Sequence, residues 1–225
     1  APGLSTMSMT GRFYLRNRNG DDVLINPTNG LPLVSSDFID AGYDRQPDFL
    51  VGLSNRLQYK AFSLDFLLDI RKGGDVFNAT EHYLTARGLS TRTLDREEPR
   101  VVKGVLRDGL ENTDNPTPNT IVVIPAVNNS YYLSMSPEVF IEKDINWVRL
   151  RDVTLSYRLP DGIGGTRHAS VYVTGTELFL ITNYSGLDPI VSGNTAATGG
   201  SGGIGVDYGN FPMPIGLNFG VRVGF

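Results

Sequence analysis

The sequence IGLNFGVRVGF, residues 215–225, alternates apolar side chains with glycine, asparagine or arginine up to its last residue. Successive side chains of a β-strand point to opposite faces, so this stretch predicts a strand with one apolar and one polar face. Its length matches the roughly 9–11 residues that a strand needs to cross a bilayer. The pattern therefore favours a membrane strand with lipid on one side and water on the other.

The composition is compatible with this interpretation and disfavours several others. The 225 residues are 40% hydrophobic, carry a net charge of −4 and include no cysteine. No apolar run is long enough for a transmembrane helix, whereas barrel strands escape such a search because only alternate residues are apolar. Scattered Lys and Arg give no basic stripe for nucleic acid, and the missing thiols remove disulfides and Cys-bound zinc. We expect no nucleic acid partner, no cofactor and no metal.

The same alternation recurs upstream of the last strand. A very tight turn at Lys60-Ala61 joins two clear antiparallel strands. One later strand changes phase midway, which a β-bulge near Arg151 would reconcile. The strand before the Asn19-Gly20 turn alternates only weakly. The predicted strands lie at residues 7–16, 49–59, 62–71, 148–159, 167–180 and 215–225.

The connections between these strands alternate in length. Residues 75–145 are expected to form one very long loop with a short helix near 79–86, and residues 181–213 a glycine-rich loop. In outer-membrane barrels the short turns face the periplasm and the long loops face outside. Lys60-Ala61 and residues 160–166 would then be periplasmic, and Phe225 would end in the periplasm, where a terminal aromatic suits recognition by barrel-assembly machinery.

The predicted fold class is all-β: an antiparallel transmembrane β-barrel segment with long extracellular loops. Five or six strands cannot close a barrel, and an open sheet edge in lipid would leave backbone groups unpaired. We therefore expect the remaining strands to come from upstream sequence or from another chain.

Several blocks of the sequence resemble the carboxyl-terminal part of the SusC/RagA family of TonB-linked outer membrane proteins from Bacteroidota. Two departures from the family pattern are Glu177, where the family usually has Asn, and an unusually glycine-rich stretch at 192–209. The blocks are QPDFLVGLSNRLQYKAFSLDFLLDIRKGGDVFN (46–78), INWVRLRDVTLSYRLP (145–160), VYVTGTELFLITNYSGLDPIV (171–191) and NFPMPIGLNFGVRVGF (210–225), with a weaker likeness in RNGDDVLINPTNGLPL (18–33).

The resemblance implies a barrel of roughly 22 strands with an amino-terminal plug. It further implies energy coupling through a TonB box, a SusD-like surface lipoprotein as a lid, and import of glycans or peptides across the cell outer membrane. Residues 1–225 would be the carboxyl-terminal portion of such a barrel, with the plug, the TonB-contacting region and the earlier strands outside this chain.

The aromatic residues of the predicted loops are the candidate contacts for a ligand or for the lid. Tyr131 and Tyr132 fall in the longest predicted extracellular loop, and Tyr184 and Tyr208 in the next. Tyrosine faces can stack on sugar rings, although such residues more often fold the loop or form the interfacial aromatic girdle. Trp147, at the outer end of a strand, is expected in that girdle.

The charged residues of the strands are expected to face the lumen and to pair with one another along the wall. The residues are Arg56, Asp65, Asp69, Arg71, Arg149 and Arg222.

An enzyme is disfavoured, because the two histidines, His82 and His168, lie far apart in the sequence and no cysteine is present. We expect no catalytic residue. Two alternatives to import stay open. One is a SusC-like barrel kept as a scaffold in an outer-membrane assembly complex, and the other is a soluble β-sandwich binding module.

Overall fold

The computed structural model describes residues 3–128, 130–161, 167–190 and 205–224. The chain divides into two compact units, each built from three separate stretches of sequence. The sheet unit comprises residues 46–74, 143–190 and 210–225, and the mixed unit comprises residues 1–45, 75–142 and 191–209.

The described residues contain fourteen strands and two α-helices. The strands are β1 Ser8–Gly11, β2 Leu24–Ile25, β3 Ile39–Asp44, β4 Phe49–Tyr59, β5 Phe62–Lys72, β6 Val76–Asn78, β7 Arg100–Val101, β8 Val105–Leu106, β9 Val122–Val123, β10 Ile141–Glu142, β11 Trp147–Arg158, β12 His168–Thr182, β13 Val206–Asp207 and β14 Gly216–Gly224. The helices are α1 Ala79–Ala86 and α2 Ser130–Leu133, and short 3₁₀ turns lie at Thr91–Thr93 and Pro137–Phe140.

The sheet unit is one antiparallel sheet in the order β14-β12-β11-β5-β4. All five strands were predicted from the alternating pattern, and their positions confirm it. The β4–β5 hairpin turns at Lys60, which has a positive φ of 54°, a backbone conformation typical of tight turns. The two short connections, β4–β5 and β11–β12, join strands at one end of the sheet, and the two long connections join them at the other.

The predicted bulge in β11 is present. The register of β11 against both β5 and β12 shifts between Leu150 and Asp152, at Arg151. Leu150 lies opposite Leu68, and after the shift Val153 lies opposite Phe66. The extra residue therefore keeps apolar side chains on one face of the sheet although the sequence changes phase.

The mixed unit corrects two predictions. The strand predicted at 7–16 is only β1, which pairs with β3 rather than with the five-stranded sheet. The segment 75–145, predicted as one long loop, is folded into short strands, turns and helices. Its two-residue strands are too short to show an alternating pattern, and prolines interrupt the segment repeatedly. Helix α1, in contrast, was predicted at its observed position.

The mixed unit has its own apolar core. Phe13, Ile25, Val76 and Phe140 are each at most 2% exposed. The ring of Phe13 meets the ring of Tyr43 edge-on, with 5.4 Å between the ring centroids. Within the described residues, no helix is long and apolar enough to cross a membrane.

Gly104 packs directly against the backbone of the mixed unit, and its substitution tests how tightly this unit is packed. Its φ is +155°, and a Cβ built there would overlap the carbonyl oxygen of Val23. We expect Gly104→Ala to destabilise the unit by about 1–3 kcal/mol, because a backbone carbonyl cannot rotate away as a side chain can. Limited proteolysis under increasing urea would measure the loss.

Gly20→Ala is the matched control for this prediction. Gly20 also has a positive φ, +78°, but a Cβ there would meet nothing within 4 Å. Its substitution should therefore cost only the left-handed backbone strain, about 1–2 kcal/mol at most. Resistance of the Gly104→Ala protein equal to that of the parent protein would contradict the predicted overlap.

Candidate functional site

One face of the five-stranded sheet is apolar across its whole width. A single row of directly opposed residues crosses all five strands through Leu57, Leu64, Leu155, Val173 and Phe219. The exposed fractions in this row are 54% for Leu57, 45% for Leu155 and 75% for Phe219. Apolar side chains are thus exposed together over a continuous surface, which for a soluble protein would be exceptional and which suits contact with lipid.

The opposite face is polar, and its neighbouring row shows the alternation. This row runs through Arg56, Asp65, Thr154, Thr174 and Asn218. Arg56 Nε lies 2.7 Å from Asp65 Oδ1, and the hydroxyls of Thr154 and Thr174 are 2.7 Å apart. Arg56 and Asp65 therefore pair along the wall, as was predicted for the charged residues of the strands, whereas Arg222 stacks on Tyr172 instead of pairing with a carboxylate of the described residues.

A buried ionic cluster lies on the polar face beside the bulge. Arg149, whose side chain is 2% exposed, donates to Glu177 Oε2 at 2.8 Å and to Asp188 Oδ1 at 2.5 Å. Arg151 bonds Asp69 at 3.0 Å and approaches Glu177 at 3.6 Å. Glu177 has a positive φ of 55°, a left-handed backbone conformation that is uncommon for residues other than glycine, asparagine and aspartate.

Asp188 connects the strand wall to both ends of the β12–β14 connection. Besides Arg149, its carboxylate accepts the backbone N–H of Ile190 at 2.9 Å and that of Met213 at 3.4 Å. Its side chain is 3% exposed. One carboxylate therefore holds both Ile190 and Met213, two distant residues of this connection, against β11. Sequence analysis missed this role, because the pair Arg149–Asp188 is separated by 39 residues.

The prediction for Trp147 is wrong. Trp147 lies directly opposite Arg71 and Thr182, in phase with Arg149 on the polar face, and it is 6% exposed. The guanidinium of Arg71 lies 4.9 Å from the centre of the indole ring. The apolar phase at this end of β11 belongs to Val148 and Leu150, so Trp147 points away from the surface where an interfacial aromatic would sit.

The four candidate tyrosines fall in both units. In the mixed unit, the rings of Tyr131 and Tyr132 meet edge-on, with 5.0 Å between their centroids. Tyr208, 44% exposed, lies with its ring centroid 6.3 Å from that of Tyr83, a partner that the sequence did not indicate.

Two of these tyrosines are constrained by burial. Tyr184, in the sheet unit, is 6% exposed, and its backbone N–H is bonded to the hydroxyl of Thr182. The hydroxyl of Tyr132 is buried without a hydrogen-bond partner among the described residues, and burial raises the pKa of this phenol. Phe225, the predicted assembly signal, lies outside the described residues.

His82 gives a pH-dependent prediction for the mixed unit. Its ring stacks on Phe140 at 4.7 Å and lies 5.8 Å from Phe77. Burial lowers the pKa of His82, opposed by a hydrogen bond with the backbone of Met135. The unfolded chain therefore binds a proton more readily, so stability should fall as the pH drops through the ordinary histidine pKa of about 6.5.

Hydrogen–deuterium exchange of α1, corrected for the intrinsic pH dependence of exchange, should show the loss of protection between about pH 7.5 and about pH 5.5. His82→Gln should remove this pH dependence. His168→Gln is the control, since the His168 side chain is 73% exposed. Equal protection of α1 across the pH range in the parent protein would refute the assignment.

Among the residues that the structure describes, no group of three or more histidines and carboxylates could hold a metal ion. The features that stand out are instead a sheet with one apolar and one polar face, and the ion pairs of Arg56, Arg149 and Arg151 on the polar face.

Comparisons with known proteins agree with this architecture. No family model matches the chain. A TonB-dependent receptor of Formosa agariphila is 27% identical over 100% of this chain and 21% of its own length. A second TonB-dependent receptor of the same organism is 29% identical over 81% of this chain and 17% of its own length. The chain thus spans about a fifth of the length of these relatives.

Solved structures of the RagAB peptide importer share the fold. The "closed-closed" state gives a TM-score of 0.56 at 16% identity, covering 97% of this chain and 23% of that chain. The "open-open" state gives 0.55 at 18% identity, covering 97% of this chain and 22% of that chain. At this identity the likeness concerns the fold alone. The chain is therefore similar in sequence to TonB-dependent receptors and in fold to the RagAB importer, and its sheet is a segment of an antiparallel transmembrane β-barrel of the SusC/RagA-like type.

Proposed function

We propose that this chain supplies wall and long connections to an outer-membrane TonB-dependent importer of glycans or peptides. The observation that carries the proposal is the sheet with one continuous apolar face and one polar face on which Arg56, Arg149 and Arg151 pair with carboxylates. Similarity to TonB-dependent receptors supports uptake rather than catalysis. The name of the RagAB peptide importer supports peptides as a substrate class, and the family resemblance supports glycans.

The importer requires parts outside this chain. β4 and β14 are the edge strands of the sheet and each has one neighbour within the described residues. Open edges are costly in lipid, so we propose that further barrel strands pair with both edges. The plug and the TonB contact would belong to the same larger receptor, and a SusD-like lipoprotein would form its lid.

The proposed orientation places the short connections in the periplasm and the long connections outside the cell. Phe225 would then lie at the periplasmic end of β14 and serve as the barrel-assembly signal. This arrangement follows the usual lengths of periplasmic turns and extracellular loops.

Tyr131, Tyr132, Tyr184 and Tyr208 are the proposed contacts for ligand or lid. Tyr208 offers the most accessible ring of these four, whereas the buried ring of Tyr184 would act by supporting the segment that carries it. Replacing Tyr208 with alanine should weaken ligand or lipoprotein binding without changing barrel assembly.

Uptake by the producing bacterium tests the function. Deleting the gene for the complete receptor should abolish accumulation of a labelled oligosaccharide or peptide pool, and an uncoupler that dissipates the proton gradient should have the same effect on the parent strain. Complementation with the intact gene should restore uptake. Unchanged accumulation of every labelled pool, with the receptor absent, would reject import, and co-purification of the receptor with a folding complex would then favour a scaffold.

A further inference from the structure

Two arginines flank a serine on the polar face, near the end of the sheet with the short connections. Arg158 of β11 lies opposite Ser170 of β12, and Ser170 lies opposite Arg222 of β14. Directly opposed residues share a face, so these three residues form one row, here called the arginine rung. Together with His168 they line a cavity of about 320 Å³.

Arg222 is held in place by stacking. Its guanidinium carbon lies 4.8 Å from the centre of the Tyr172 ring. Tyr172 lies opposite Gly220, and a Cβ at Gly220 would overlap the phenol end of that ring, so glycine lets the ring lie across β14. A cation–π contact uses the face of the guanidinium and leaves its N–H edge available to an anion.

Among the described residues, the arginine rung has more basic groups than carboxylates, unlike the paired arginines elsewhere on the polar face. Arg56, Arg149 and Arg151 each pair with a carboxylate of the sheet unit. Within the described part of the chain, Arg222 has no ion-pair partner. Arg158 meets Asp161 at 3.3 Å, but both side chains are at least 60% exposed, and such pairs contribute little.

Asp161 also lies 3.7 Å from His168 Nδ1. A single carboxylate is therefore near both Arg158 and His168. A further anion near Ser170 would therefore balance the remaining positive charge of this site. The β-carbons of Arg158 and Arg222 are two strand spacings apart, about 10 Å, and both long side chains can converge on one carboxylate there. Such an anion would accept charge-assisted hydrogen bonds from both guanidiniums and one from the serine hydroxyl.

We propose that the arginine rung binds an Asp or Glu side chain of a polypeptide segment that lies along the polar face and belongs to the same receptor outside this chain. The chain spans about a fifth of the length of its relatives, so most of the receptor is available to supply that segment. The proposal rests on the chain being part of a larger barrel and is independent of what that barrel imports.

A photo-crosslinking amino acid at position 170 of the complete receptor, irradiated in isolated outer membranes, tests the proposal. We expect a crosslink within the receptor polypeptide, mapped by mass spectrometry to within a few residues of an Asp or Glu. The same probe at position 171 is the matched control, since Val171 lies on the apolar face opposite Val221 and should crosslink to lipid.

Charge variants then test the role of the two arginines. Arg158→Gln with Arg222→Gln should lower the crosslink yield roughly tenfold, the effect of losing charge-assisted hydrogen bonds, whereas Arg158→Lys with Arg222→Lys should retain more of it. Arg56→Gln, on the same face but already paired, should change nothing. Heat-modifiable migration of the receptor reports barrel folding separately.

Three results would overturn the proposal: a crosslink from position 170 only to lipid or lipopolysaccharide, a crosslink to a polypeptide stretch without carboxylates, or a yield that the glutamine variants leave unchanged. The single variant Arg222→Lys serves if the double variant does not fold. Loss of uptake with the crosslink intact would instead count against the proposed import function alone.

Discussion

Replacing Phe219 with arginine is expected to destabilise the folded barrel by about 2–4 kcal/mol, the cost of a charged side chain near the bilayer midplane on the lipid face. Phe219 lies in the middle of β14, is 75% exposed and belongs to the apolar row that crosses the sheet. Urea unfolding of the complete receptor in lipid vesicles would measure the loss, and reduced assembly into outer membranes should accompany it.

Asn218→Arg is the matched control, one residue away on the opposite face. Asn218 lies opposite Thr174 on the polar face, where an added arginine stays in contact with water. Its effect should be within about 0.5 kcal/mol, typical of surface substitutions. If both variants unfold at the same urea concentration, the lipid-facing assignment fails. If only the Asn218 variant is destabilised, the two faces are reversed.

Replacing Arg149 with methionine should destabilise the sheet unit by about 3–5 kcal/mol, because it leaves buried carboxylates without their cation. Asp188, 3% exposed, would lose its ion-pair partner, and Glu177 would retain Arg151 at 3.6 Å. The same unfolding experiment measures the effect. Residues on both sides of the β12–β14 connection should also become more accessible to protease, since Asp188 holds both to the wall.

Arg56→Met is the control that separates the effect of burying an ion pair from the effect of removing any arginine. The Arg56–Asp65 pair is 71% and 32% exposed, so its removal should cost no more than about 1 kcal/mol. Adding Asp188→Asn to the Arg149→Met protein should recover part of the stability, because it removes one uncompensated charge. An equal loss for both methionine variants, or no recovery in the double variant, would indicate lost packing rather than an uncompensated charge.

The strands of the sheet could be predicted because each one shows the alternating pattern within its own sequence. A period of two is visible within a single strand, and the two phases of residues 148–159 reveal the bulge at Arg151 without knowledge of any partner strand. The Arg56–Asp65 pair of the wall followed from the same alternation. Trp147 lies at a strand end, where an interfacial tryptophan is expected, but it shares the phase of Arg149 and therefore lies on the polar face.

The mixed unit and the ionic cluster could not be predicted in the same way. Strands of two residues show no periodicity, and their partners are distant in sequence, as when Leu24 pairs with Val105. Asp188 follows Gly186 and Leu187 in a stretch that looks like an ordinary turn. Only the folded chain brings its carboxylate to Arg149, 39 residues away.

The sequence alone determined which side of each sheet strand is apolar, because alternation along a strand is a local property that the backbone geometry enforces. It also determined the antiparallel hairpins and the bulge. The tertiary structure decided how the long connections fold, which tyrosines are accessible and which charges are buried together. Those features depend on contacts between residues far apart in the chain, and no local pattern encodes which distant partners will meet.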